Sequence, residues 1–398
     1  MRKHCVRIAL IVVVSLLAGA LRWHAANHLL IDGDESTYIN AALDYADALR
    51  AGDWKAIAWY DENREHPALN KLLYGVVLLG QPPLETLWPE DYPDYTPIAG
   101  TEGRPWGIAG RYASAALGGL AVLVLSLLNP VAGLLLAVHT FAVRFSSGFL
   151  LEALPFLTGL LAALFYLRWF DSGKKRFIHR LHRHEERKEI EGEGGRGSVV
   201  WLGLSAAALG ATAASKYTYA VVGIAIGLHG LWFAGRAGRL RASLGWLVGW
   251  GLLTLAAFFV FDPYLWPKPL PRLIESLTFH AQYSQNEFVR GYPAWQPLVW
   301  LTSTYPGKFP NFAPAFWVAL DPLITALALV GLPRTWQRRP LFVIWLAVGL
   351  VTVLLWPTKW PQYTLILLAP LCLAAAEGAG WVWDQVRGRF FTAKAQSI

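Results

Sequence analysis

Ten stretches of this sequence are long, apolar and almost free of charge: 7–21, 107–128, 130–143, 148–170, 198–214, 217–234, 242–261, 315–332, 341–356 and 362–383. No other feature narrows the fold as much. A helix needs roughly 20 such residues to cross a bilayer. Several runs are short, 130–143 above all, so the count is about ten spans, give or take one or two. Open sheets cannot satisfy their backbone in lipid. The sequence therefore predicts an all-α polytopic membrane protein. A chain of 398 residues is long enough for roughly two or three soluble domains. Only 16% of it is charged, however, against about 25% in soluble domains.

The net charge of +8 raises the question of nucleic acid. Its distribution answers it. The basic residues gather in MRKHCVR, in 168–197, in GRAGRLRA, in PRTWQRRP and in the tail RGRFFTAKA. With the N-terminus inside and ten alternating spans, all five clusters fall on the cytoplasmic side, as the positive-inside rule requires. Both termini are then cytoplasmic, the membrane is the plasma (inner) membrane, and no nucleic-acid partner is expected. The alternative for residues 1–20 is a cleaved signal peptide ending near Ala18-Gly19-Ala20, which would break that alternation. Cys5 and Cys372 imply no disulfide framework. His179, His182 and His184 alternate with Arg and Lys, and read as a solvated, headgroup-facing helix before they read as a metal site.

The outer side receives two large loops, 28–106 and 262–314. The first opens on HLLIDGDESTYIN (28–40). Asp34 or Ser36 can cap a helix running through TYINAALDYADALRAG, with acidic residues favoured in its first turn. A polar turn, YDENREHPALNK, follows. Next comes LLYGVVLLG, too short to span and read as a re-entrant or interfacial helix. The Pro-, Tyr- and Trp-rich segment 81–107 reads as an irregular loop at the headgroups.

On this topology the ionisable residues converge on one face. Asp34 and Glu35 follow span one, and His66 and Lys71 lie in the same loop. Arg111 opens span two, Arg144 closes span three, and Glu152 opens span four. Lys216 lies in the turn ASKYTY and Lys359 in the turn PTKWPQY. Ionisable groups at such depths are functional candidates, although a single Lys or Arg at a helix end often only snorkels. Carboxylates beside cations suit transfer of a sugar from a polyprenyl phosphate. The leaving phosphate needs cations to hold its charge. The acceptor hydroxyl or amine needs a carboxylate base. A hydrolase would need two facing carboxylates and a water.

An ordered set of motifs then carries a resemblance. DGDESTYINAA resembles the Asp-Glu motif of the GT-C glycosyltransferases, in the branch of the protein O-mannosyltransferases and lipid A aminoarabinose transferases (glycosyltransferase family 39-like). REHPALNKLLYG resembles that branch's His-Pro-Pro-Leu-x-Lys element, with Ala68 at the second Pro. GRYASAALGGLAVLVL is similar to its second span with a leading Arg, and VRFSSGFLLEALPFLTGLLAALFYLR to the segment holding a second acid, here Glu152. ALGATAASKYTYAVV resembles its Lys-containing span. TKWPQYTLILLAPL resembles its last-span element, where Gln362 stands in place of a frequent Arg. The resemblance covers roughly residues 5–385.

The resemblance implies one GT-C module over 1–398 with a large first extracytoplasmic loop. It implies inverting transfer with Asp34 as general base. Glu35 and Glu152 would be the accompanying carboxylates, and Lys71, Arg111, Arg144, Lys216 and Lys359 would hold the donor phosphate. His66, Tyr38, Tyr217 and Tyr363 would shape the site. The lipid-linked sugar is the co-substrate. No cofactor is required on this reading, although some superfamily members use a divalent metal. The acceptor would be a protein, lipid or glycan, recognised by loops 28–106 and 262–314. Two other classes compete: a transporter or channel using the membrane charges, and a non-catalytic subunit that keeps the fold.

Overall fold

A computed structural model describes residues 2–81, 105–182, 193–238, 240–283, 285, 291–305 and 315–396. The chain begins with α1 (Arg2–His28), followed by α2 (Gly33–Ala51), α3 (Trp54–Trp59) and α4 (Leu69–Leu78). The middle of the chain contributes α5 (Pro105–Leu128), α6 (Pro130–Val138), α7 (Thr140–Phe145), α8 (Ala153–His182), α9 (Glu193–Ser215), α10 (Val221–Arg236) and α11 (Leu240–Phe261). After these come α12 (Pro269–Tyr283), α13 (Gln296–Leu301), α14 (Asp321–Arg338), α15 (Pro340–Leu355) and α16 (Leu365–Gln396). It is an integral membrane protein of the all-α, polytopic kind. Among the described residues six helices are long and apolar enough to cross a bilayer, and α4, α9 and α15 hold shorter apolar stretches.

The expected count of about ten spans is not reached among the described residues: six helices qualify, α9 and α15 hold shorter apolar stretches, the run 315–332 is helical only from Asp321, and the third run is not one span. Asn129 caps α6 by accepting the N–H groups of Val131 and Ala132, and Pro130 opens the helix. The helix then stops at His139, whose extended backbone (ψ 119°) turns the chain into α7. The charged segment 171–197 is also largely helix. Helix α8 runs on to His182 and α9 begins at Glu193. The His179 and His182 side chains, and His184 as a whole, lie outside the described part, as does most of 81–107.

The cap of α2 differs from expectation. Asp32 provides it, accepting the Asp34 N–H, while Glu35 reaches back to the Asp32 N–H in a capping box. Asp34 is thereby left free of capping, and the Ser36 hydroxyl donates to the Gly33 carbonyl instead. Gly52 ends α2 in the left-handed region (φ 66°), which a side chain would strain. The apolar helix α4 lies against α2 and α5. Its Gly75 meets Tyr45 and the α2 backbone so closely that a methyl group there would overlap them.

Helix α16 forms the centre, with Leu365–Ala376 buried almost throughout. It meets α14 where Gly331 and Gly378 face each other's backbone, and a Cβ on either would collide. Small residues let membrane helices approach this closely. Helix α11 exposes Leu244, Val248, Leu252, Leu255 and Val260, as an apolar lipid-facing helix does. Basic residues mark one end of the bundle. Arg7 donates to the Leu127 carbonyl, and Arg334 and Arg338 pair with Asp384 and Glu377. The opposite end gathers the junctions that hold the candidate residues.

Candidate active site

At that end α1 passes through Leu29–Ile31 into α2. Adjacent residues in a helix point about 100° apart, so Asp34 and Glu35 face different surroundings. Glu35 faces α5 and is fully buried. Both of its oxygens are taken by Arg111: Nε donates to Oε2 at 2.8 Å and Nη2 to Oε1 at 2.7 Å. The Phe149 N–H also donates to Oε2 at 2.9 Å. Burial raises the pKa of this carboxyl, but Arg111 and the Phe149 N–H outweigh it, and the net shift is downward. The rest of the Arg111 fork donates to the carbonyls of Ala26, Leu29 and Leu30. Arg111 thus clasps the α1–α2 turn.

Asp34 faces a cavity of about 440 Å³. Among the described residues no hydrogen bond or ion pair engages its carboxylate. Asp34 is solvent-exposed at the cavity, and the protein packed around it desolvates its carboxylate only in part. This desolvation, followed by the Asp32 charge, pushes its pKa up to about 6, and Lys216 pulls the other way. Lys216, Tyr38, His66 and Tyr363 line the same cavity, as do Asp32, Glu65, Tyr305 and Gln362. His66 lies edge-on to Tyr38, with ring centroids 5.9 Å apart.

Lys216 stands where the chain extends between α9 and the short helix 217–220. Its ammonium pairs with Glu152, the buried residue just before α8. Burial opposes the charge, but Glu152 more than offsets it, so the pKa lies above the ordinary lysine value. The ammonium also lies 5.8 Å from the centre of the Tyr363 ring. The second Glu152 oxygen has no partner among the described residues.

The other expected cations lie outside the cavity lining. Lys71 donates to the carbonyls of Asn63 and His66 at 2.8 and 3.0 Å, and so shapes the loop that presents His66. Burial lowers its pKa to about 8. Lys359 donates to the Leu354 and Trp356 carbonyls at the end of α15. Arg144 is buried and pairs with Asp32 at 2.7 Å. Tyr217 lies edge-on to Phe258 at 6.1 Å, away from the cavity.

Three acids were not singled out from the sequence: Glu65, which lines the cavity, Asp262 and Asp321. Asp262, at the end of α11, accepts the Ala68 N–H at 3.0 Å and so ties down the His66–Lys71 loop. Burial pushes its pKa up to about 7. Asp321 opens α14 and grips the break between α6 and α7. The signal available was an Asp just after the run 242–261, in FDPYLWP, and an Asp inside the run 315–332, in ALDPLIT. Among the described residues no three His, Cys, Asp or Glu side chains are grouped to hold a metal ion.

No family model and no curated protein sequence matches the chain. Solved structures do match. ArnT from Cupriavidus metallidurans bound to undecaprenyl phosphate aligns over 98% of this chain and 63% of its own, with TM-score 0.51 and 15% identity. The same protein in the apo state gives a TM-score of 0.53 at 15% identity, with the same coverage. The Archaeoglobus fulgidus oligosaccharyltransferase in the apo form gives 0.55 at 13% identity, over 98% of this chain and 52% of its own. The chain has a GT-C fold. It spans between half and two thirds of the length of these structures, and at such identities the likeness speaks for the fold alone.

Proposed function

We propose that the protein is a membrane glycosyltransferase that moves a sugar from a polyprenyl-phosphate donor to an acceptor hydroxyl or amine. The observation that carries this is an unengaged carboxylate, Asp34, sharing one cavity with the Lys216 ammonium. The fold adds the donor class, since ArnT was solved with undecaprenyl phosphate bound. In this reading Asp34 accepts the acceptor's proton as its oxygen or nitrogen attacks the anomeric carbon. The bond to the phosphate oxygen breaks on the opposite face, giving inversion. Lys216 stabilises the charge that develops on the departing phosphate, and Glu152 holds Lys216 in place. Tyr38, Tyr305 and Tyr363 wall the cavity, and a donor and acceptor filling it would displace the water that could otherwise hydrolyse the donor. His66 shapes the wall beside Tyr38.

Arg111 and Glu35, Lys71, and Lys359 support the site from behind. Arg144 acts through Asp32, which caps the helix carrying Asp34. The site lies on the extracytoplasmic face of the inner membrane with both termini cytoplasmic, in accord with Arg7, Arg334 and Arg338 at the other end. The acceptor is a protein, lipid or glycan, and no metal is required.

The donor role of Lys216 is tested by binding undecaprenyl phosphate to the purified chain. Lys216→Met is combined with Glu152→Gln, so that no buried carboxylate is left bare. Loss of a charged hydrogen bond predicts a dissociation constant about 10- to 100-fold higher. An unchanged constant removes Lys216 from the donor site.

A further inference from the structure

We propose that Asp321 and Thr140, neither of which lines the cavity, are positioning residues that fix its wall at Tyr305. The inference deepens the reading above and rests on it for the ligand.

The bend at His139 leaves the first N–H groups of α7 without carbonyl partners from the preceding turn. Asp321 supplies one from α14. Its Oδ1 accepts the Thr140 N–H at 2.8 Å and the Thr140 hydroxyl at 3.1 Å. The His139 Nδ1 lies 2.6 Å from the same oxygen. All three residues are fully buried. Thr140 Oγ1 in turn accepts the Tyr305 N–H at 2.8 Å. A single hydroxyl therefore joins the capped helix break to the backbone of a cavity residue.

The far end of α7 reaches the same wall. The Tyr305 ring stands edge-on to Phe141 and Phe145, at 5.4 and 5.5 Å. The Arg144 guanidinium lies 5.8 Å from its centre. Arg144 holds Asp32 Oδ2, and Asp32 Oδ1 accepts the Asp34 N–H at 3.2 Å. Helix α7 thus connects the Tyr305 wall at one end with the turn carrying Asp34 at the other. Asp321 anchors that helix. A purely structural kink would need the Thr140 N–H bond to Asp321, but not the hydroxyl's bond to Tyr305.

The test compares Thr140→Val, which keeps the side chain's shape, with Thr140→Ser, which keeps the hydroxyl. Each full-length variant is placed in lipid nanodiscs. Two quantities are measured: hydrogen exchange at the Tyr305 amide and the affinity for undecaprenyl phosphate. Thr140→Val removes both bonds of the hydroxyl, to the Tyr305 N–H and to Asp321 Oδ1. Loss of the neutral bond at the Tyr305 amide predicts exchange there about fivefold faster, and binding is expected to weaken by at least a similar factor. Thr140→Ser is expected to match the wild type in both. Wild-type exchange in Thr140→Val, or a Thr140→Ser variant as impaired as Thr140→Val, overturns the clamp. Faster exchange with unchanged affinity overturns its role in positioning the site. If the wild type itself fails to bind undecaprenyl phosphate, the donor reading fails, and the exchange rates alone decide the clamp.

Discussion

The carboxylate of Asp34 sits between Asp32 behind it and Lys216 across the cavity. On the proposed reading Asp34 is the general base, which works only when ionised, and desolvation pushes its pKa up to about 6. As pH falls through that value the base takes up a proton and the rate must fall with it; above it the rate is flat until another group titrates. The pH profile of kcat/KM is therefore expected to have its acidic limb near pH 6. A limb near the ordinary aspartate value of about 4 would contradict the environment described for Asp34. The acidic pair was legible in the sequence as a feature, but the division of labour within it was not. Asp34 and Glu35 look alike in DGDEST. Only the tertiary placement of Arg111 and Phe149 locks Glu35 away and leaves Asp34 unengaged. The cations show the same limit. Lysines at 71, 216 and 359 all stand at helix ends in the sequence, yet only Lys216 is aimed into the cavity.

At the scale of elements, α5 holds α1 and α2 together through one side chain. The Arg111 fork spends all five N–H groups on Glu35 and three carbonyls of the connecting turn. Removing one member of such a buried pair costs about 3–5 kcal/mol, because the other is left as a bare buried charge. Arg111→Met is accordingly expected to lower the unfolding temperature strongly. Arg111→Lys should fall between the two, since it keeps the charge but not the planar fork. Thermal unfolding of the purified variants checks this, and a wild-type temperature for Arg111→Met would mean that the clasp holds nothing. Apolar length is a property of the sequence alone, so the helical membrane architecture was readable, but the expected count of about ten spans exceeds the six helices that qualify among the described residues. The break at His139 was not readable: its stabilising partner, Asp321, lies 181 residues along the chain from Thr140.

Over the whole molecule, the two ends of the bundle carry different chemistry. Arg7, Arg334 and Arg338 lie at one end, and the cavity with Asp34 and Lys216 lies at the other. This polarity gives a sidedness test. In right-side-out vesicles an impermeant maleimide should label an exposed cysteine placed by Lys55→Cys. The native Cys5 should react only after permeabilisation. The reverse pattern would invert the topology. The general architecture was legible from the apolar runs and the basic clusters, and the likeness to solved GT-C structures agrees with it. The cavity wall was not, because Tyr305, Asp262 and Asp321 act through contacts between distant segments.

The most direct measurement is sugar transfer from a polyprenyl-phosphate sugar by the purified chain, comparing wild type with Asp34→Asn. The amide keeps the size of the side chain and cannot accept the acceptor's proton. A positioned base contributes about 10²- to 10⁴-fold, so transfer by the wild type and a loss of that order in Asp34→Asn, with donor binding intact, is the predicted result. Full transfer activity in Asp34→Asn would contradict the account.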